Sequence, residues 1–227
     1  MAEPAFVERL GTIKGVLIEQ GGRVVELVER GFAAFFDGDP SAAKQVIAGD
    51  EPIDDADLEI ERLSIELLAD AARESNELDV ASLRSVLVVV KANNELERIA
   101  DGAVSIAEIV PGDDAFEIPP TFRVVTNSVV GIVRDAVASL ERDDAKLARL
   151  VLQSEDCVRE FKVGLLKDAD RRIAAGTLTV DQAFTLHEVA SIAELMADHA
   201  TNIAEQVIYA TTGVVVRHHD GKWVEVE

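Results

Sequence analysis

Residues 97–108 read E-R-I-A-D-G-A-V-S-I-A-E and residues 194–205 read E-L-M-A-D-H-A-T-N-I-A-E, so seven of twelve positions are identical. Internal self-similarity constrains the architecture more than any local propensity, because each copy must be one unit that packs against the next. A chain of 227 residues accommodates two units of about 110 residues. Apolar residues make up 48% but aromatics only 4%. That balance of Ala, Val, Leu and Ile favours long packed helices over a β-sandwich.

Helical periodicity runs through most of the chain. The apolar series Phe6, Leu10, Ile13, Leu17, Val24, Val28 and Phe32 predicts a first helix over about 5–36. Asp37-Gly38-Asp39-Pro40 ends it, with Asp39 placed to cap the next helix and Pro40 in that helix's first turn. A second helix is predicted to about residue 74, with a kink or short break at Pro52. Ser75-Asn76 turns the chain into a third helix over about 80–110. The linker is Pro111-Gly112-Asp113-Asp114 through Pro119-Pro120. The pattern then restarts over about 121–141, 145–175 and 180–210, with Thr179 a cap for the last helix.

Asp39 corresponds to Asp144, an offset of 105, and Glu97 to Glu194, an offset of 97. The expected fold is therefore all-α: two tandem antiparallel three-helix bundles over residues 1–112 and 113–213. A tail over 214–227 carries Asp220-Gly221 between β-formers, a hairpin signal.

The charge of -21 repels a phosphate backbone and argues against nucleic-acid binding, while it attracts metal cations or a basic partner. The lone Cys157 leaves no intramolecular disulfide, which fits a reducing cytoplasm. The first residues lack the basic and apolar regions of a signal peptide, and the apolar runs are too short to span a bilayer. Membrane association is then expected only through partners.

Paired carboxylates are the feature that looks like chemistry. At 100° per residue, Glu97, Asp101 and Glu108 lie within about 40° of one another on their helix. Glu194, Asp198 and Glu205 repeat the arrangement, with His187 on the same line. Asp50, Asp54, Asp57 and Glu61 form a further acidic line on the second helix. Like charges four residues apart cost about 0.2–0.5 kcal/mol per pair, and bound cations would offset that. Carboxylates from adjacent helices suit magnesium, manganese, iron or zinc. The metal candidates are Glu97, Asp101, Glu194 and Asp198, followed by Asp50 and Asp54. The plainer reading makes these stripes solvated faces. The counterparts of Asp50 and Asp54 are Glu155 and Arg159, and an Arg there competes with a cation; Asp156 and Glu160 form an alternative pair. No Ser/His/Asp elbow, CxxC, phosphate loop or Glu-x-x-His pair points to an enzyme.

These residues resemble the PhoU family of phosphate-uptake regulators. Its L-E-R-I-G-D segment is matched by Leu96-Glu97-Arg98-Ile99-Ala100-Asp101 and, less fully, by Ala193-Glu194-Leu195-Met196-Ala197-Asp198. Val46–Asp50 with Ile53-Asp54, and Tyr209–Gly213 with Val216–His218, resemble its second helix and C-terminal end. Gly becomes Ala at Ala100 and Ala197, and the family's Arg is lost at Leu195. The resemblance implies a non-enzymatic, cytoplasmic regulator, peripheral to the inner membrane through its partners. It implies work with a phosphate ABC transporter ATPase and a sensor histidine kinase, often as a homo-oligomer. It also implies metal ions on the carboxylate motifs. Alternatives are a carboxylate-bridged metalloenzyme, a metal-free helical scaffold and an accessory of a phosphate permease.

Overall fold

The computed structural model describes residues 3–74, 77–110, 116–219 and 222–226. Its elements are α1 (Pro4–Asp37), α2 (Pro40–Ala48), α3 (Glu51–Arg73), α4 (Val80–Glu108), α5 (Pro120–Arg142), α6 (Ala145–Ala174) and α7 (Val180–Thr212), followed by β1 (Val215–His219) and β2 (Lys222–Val226). The first unit is α1–α4 and the second α5–α7, which bears out the all-α double bundle. The turns at Ser75-Asn76 and Asp220-Gly221, and the linker stretch 111–115, lie outside the described residues.

The helix ends follow from their capping chemistry. Asp39 accepts hydrogen bonds from the amides of Ser41 and Ala42, and Asp144 does the same from Lys146 and Leu147. Each satisfies helix-start donors that would otherwise lack a partner. The residue before each cap is left-handed, Gly38 at φ 59° and Asp143 at φ 50°. Asp143 is therefore a non-glycine residue in the conformation that its counterpart adopts without steric cost. Its carboxylate is held by the Lys14 ammonium at 2.6 Å. Thr179 and Gln182 form a reciprocal capping box at the start of α7.

The expected break near Pro52 separates α2 from α3. Proline lacks the amide that a continuous helix would need and fits in the first turn of α3 instead. Its counterpart in the second unit, by the offset of 105, is Cys157, and α6 there runs without interruption. Cys157 is exposed and free.

A single continuous core joins the units through α4 against α7 and α1 against α5. Helices α4 and α7 both carry small buried residues: Ala100, Ala103 and Ala107 on one, and Ala193, Ala197, Ala200 and Ala204 on the other. At the α4–α7 contact an added Cβ on Gly102 would come within 2.8 Å of Met196 Cε and 3.0 Å of its Cγ. Phe35, Phe36 and Phe122 cluster across the α1–α5 contact with centroids 5.8–6.3 Å apart. Arg123 lies over the Phe36 ring at 4.1 Å, and Glu29 pairs with Arg134 beside it.

The tail forms the expected hairpin, in which Val215 pairs with Val226 and His219 with Lys222. Two strands alone are marginal in water. Here Val216 is buried, and Arg217 donates to the Glu205 carboxylate on α7.

Glycine positions separate helix propensity from packing. Gly15 is exposed in the middle of α1, and nothing would meet an added Cβ. Gly15→Ala should stabilise the protein by about 0.5–1 kcal/mol. At Gly31 an added Cβ would meet the Ala103 carbonyl oxygen of α4 at 3.1 Å. Gly31→Val should destabilise by about 1–3 kcal/mol. Chemical denaturation of the two variants beside the parent checks both signs.

Candidate functional site

α3 and α4 run antiparallel in the first unit, so their acidic lines meet along one seam. Asp57 comes opposite the fourth turn of α4: its carbonyl oxygen and Oδ1 both accept from the buried Asn93 amide, at 3.1 and 2.6 Å. Nearby, the Asp57 and Glu97 charges repel each other, and farther along Asp50 and Asp101 do the same. Glu97 and Asp50 are half-buried, whereas Asp54 and Asp101 are exposed.

Crowding and burial show in the acidities. Asp50 is pushed up to about 6, first by burial and then by the charges of Asp54 and Asp101. Asp57 is raised by burial and by Glu61 and Asp54. Glu97 is raised by burial and by Asp101 and Asp57, against a smaller opposing pull from Arg98. Burial and like charge disfavour the ionised form of every one of them.

Asp50 differs from Asp39, Asp79 and Asp144, the aspartates at the N-caps of α2, α4 and α6. Asp39 and Asp144 cap; the Asp50 carboxylate accepts nothing from the α3 amides, and its buried Oδ1 has no hydrogen-bond partner among the described residues. A buried acceptor left unmatched is costly. An all-carboxylate set with such an oxygen suits a hard divalent or trivalent cation. In the geometry described, no three His, Cys, Asp or Glu side chains converge on one point among the described residues. Asp50, Asp54, Asp57, Glu97 and Asp101 lie along one seam, and side-chain rotation would have to bring them together before they held a cation.

The second unit places its carboxylates differently. Glu194 is engaged by the Lys162 ammonium at 2.6 Å, with Arg159 Nε at 3.8 Å from its other oxygen. Asp198 is half-buried on the same helix. With two bases at this seam, the residues do not suit a cation. The alternative pair Asp156 and Glu160 is exposed, and Arg159 lies 3.6 Å from Asp156. The Glu155 side chain lies outside the described residues.

Other members of the stripes do different work. Glu108 is exposed, whereas Glu205 is buried against Arg217. His187 is exposed and pairs with no carboxylate among the described residues. His199 crosses to the first unit instead: its Nδ1 lies 2.8 Å from Glu95 Oε2, which also accepts from Asn202 at 3.0 Å. Burial works to raise Glu95, but those two bonds outweigh it and hold the carboxyl below its usual range. Sequence reasoning missed Asn93, Glu95 and Lys162. Helical spacing marks the face each occupies but not the residue opposite.

An open groove of about 500 Å³ between the units includes Ser85 and Thr211 in its lining. Both hydroxyls donate to carbonyls of their own helices, Ala81 at 3.0 Å and Val207 at 2.8 Å. Among the described residues neither hydroxyl is hydrogen-bonded to a base.

The PhoU domain model matches residues 17–110 and 123–207, one stretch in each unit. The chain belongs to the PhoU family. It is 28% identical over 218 residues to a phosphate-specific transport system accessory protein PhoU homolog of Pseudomonas putida, covering 94% of this chain and 83% of that one. A homolog of the same name from Aquifex aeolicus is 28% identical over 214 residues, covering 93% and 95%. Among solved structures, PhoU from Pseudomonas aeruginosa superposes with a TM-score of 0.84 at 26% identity, covering 92% of this chain and 99% of that one. The phosphate transport system regulatory protein PhoU from Streptococcus pneumoniae gives 0.84 at 20% identity, covering 94% and 100%. Among the described residues, no helix is long and apolar enough to cross a membrane.

The raised pKa of Asp50 has a definite sign in stability. Folding lifts it from 3.8 to about 6, so between those values the folded state binds more protons than the unfolded state. Stability then falls as pH rises through this window, and the penalty is complete above it. Asp50→Asn, in chelator, should therefore be more stable than the parent at pH 7.5, by about 1 kcal/mol once solvent screening is allowed for. That corresponds to about 2–4 °C in Tm. The difference should vanish by pH 4, as melting curves across pH 4–8 will show.

Proposed function

We propose that the protein is a non-enzymatic regulator of phosphate uptake and of signalling during phosphate starvation. In this reading it is a helical adaptor that docks a phosphate ABC transporter ATPase, a sensor histidine kinase, or both. The observation that carries the proposal is the match of both units, at near-full coverage, to proteins named as accessories of phosphate-specific transport. The open groove, in which neither hydroxyl is hydrogen-bonded to a base among the described residues, supports a binding role over a catalytic one. The absence of a membrane-crossing helix among the described residues fits a protein that works at the cytoplasmic side of the inner membrane through its partners. We also place a homo-oligomer within this reading.

The metal part of the proposal rests on the first unit. Asp50, Asp54, Asp57, Glu97 and Asp101 would hold a divalent or trivalent ion, iron, zinc, manganese or magnesium. Such an ion would supply positive charge that relieves the crowded carboxylates. The chain's own part is to deliver them: α3 and α4 fix the two lines, Asn93 holds Asp57 in place, and the uncapped Asp50 keeps an oxygen available. The protein would then present a face whose charge depends on the ion, beside a surface that is otherwise strongly acidic.

Deleting the gene in its source organism should derepress phosphate-starvation genes in phosphate-replete medium, and the wild-type copy should restore repression. Affinity purification of the tagged chain should recover the transporter ATPase or the kinase. Normal repression in the deletion strain would sink the regulatory reading. A loss of low-affinity phosphate uptake alone would point to a permease accessory.

A further inference from the structure

The two units share one template, yet charge is reversed at one place on it. The caps Asp39 and Asp144, each preceded by a left-handed residue, set α3 against α6 at an offset of 105. The repeated Glu and Asp set α4 against α7 at 97. On that template Asp54 corresponds to Arg159, Asp57 to Lys162 and Glu61 to Leu166. Three acidic positions thus become two bases and an apolar residue.

The structure shows what the exchange does. Glu97 has the Asp57 charge for a neighbour and is destabilised as an anion. Glu194, its counterpart, has the Lys162 ammonium at 2.6 Å, with the two side chains 20% and 22% exposed. The same seam therefore has opposite electrostatics in the two units.

We propose that the second unit is closed to metal ions because Lys162, backed by Arg159, is the resident counter-ion of Glu194, so that any ion the protein holds is held by the first unit alone. This rests on the proposed reading that the first unit's carboxylates bind a cation. The reasoning is electrostatic and steric. An ammonium at hydrogen-bonding distance occupies the oxygen that an ion would need, and a second cation beside it would be repelled by both bases. Lys162 and Arg159 give permanently what a metal gives conditionally. A chain with two similar units would then respond to metal through one of them, and a partner sensing that response would be addressed by the α3–α4 face.

Manganese(II) uptake by the full-length chain, measured by equilibrium dialysis and elemental analysis, tests this. The wild type should take up manganese, Glu194→Gln/Asp198→Asn should take up the same amount, and Asp50→Asn/Asp54→Asn should lose it. Arg159→Asp/Lys162→Asp, which gives the second unit the first unit's charges, should take up more. Lower uptake in Glu194→Gln/Asp198→Asn overturns the proposal. If the wild type takes up none, or Asp50→Asn/Asp54→Asn retains it, the first-unit reading fails and the second-unit proposal is decided without metal. In chelator, Lys162→Met and Glu194→Gln should each lower Tm, and the double variant should lose less than the sum. Additive losses would show that the two charges are not coupled and would overturn it.

Discussion

Helices α4 and α7 pack along each other with Gly102 of α4 set against Met196 and Ile192 of α7. The alanines of the two helices, Ala100, Ala103 and Ala107 on α4 and Ala193, Ala197, Ala200 and Ala204 on α7, are all nearly or fully inaccessible, with Ala103 turned to Gly31 of α1. Ile99, Ile106, Met196 and Ile203 fill the space between them and the flanking helices. Each such side chain contributes about 1.5–3 kcal/mol when removed from water. Close packing of this kind tolerates little change in volume. Everything functional hangs on that seam. It fixes the outward angle of each signature helix, and so it fixes which residues of α4 and α7 face α3 and α6.

The repeat takes on a different meaning in this light. Of the seven identities between 97–108 and 194–205, four are packing residues: Ala100, Ala103, Ile106 and Ala107 with their partners. A shared close approach is sufficient reason for them. The remaining three are acidic, and only one of those pairs has similar surroundings in both units in the simple sense of burial. Glu97 and Glu194 are both half-buried but face opposite charges. Asp101 is exposed while Asp198 is half-buried. Glu108 is exposed while Glu205 is buried and holds the hairpin through Arg217. Identity in a repeat therefore records a common fold more faithfully than a common chemistry.

The helices were legible because their ends are written locally. Asp39, Asp144 and Thr179 cap where their residue type and position say they should, and Pro52 starts a helix because it cannot sit inside one. The hairpin was legible from the alternation of its strands, and its pairing is as expected. The seam was only half legible. Spacing places Asp50, Asp54, Asp57 and Glu61 on one line, but no period reveals that Asn93 lies across from Asp57 or that Lys162 reaches Glu194. Those contacts join residues 36 and 32 positions apart on different helices. The bond from His199 to Glu95 spans 104 positions and joins the two units. Facing relations of this sort are decided by the depth and rotation of packed helices, and a single helix does not carry them.

The fold must close two seams, α3 against α4 and α6 against α7, and each brings a glutamate of the signature to a half-buried place. A carboxylate there must be protonated, matched by a cation or repelled at a cost. The second unit uses its own side chain, Lys162, and the match persists whatever the surroundings contain. The first unit has aspartates in the equivalent places, and its carboxylates bind protons more readily than free ones do. A metal ion bound there would compete with protons for one set of oxygens, so affinity for either would depend on the concentration of the other. The acidic first seam is in this sense the adjustable half of a molecule whose other half is fixed. The α4–α7 contact ties the two halves together through Glu95, whose carboxylate is bonded to His199 and Asn202 across it.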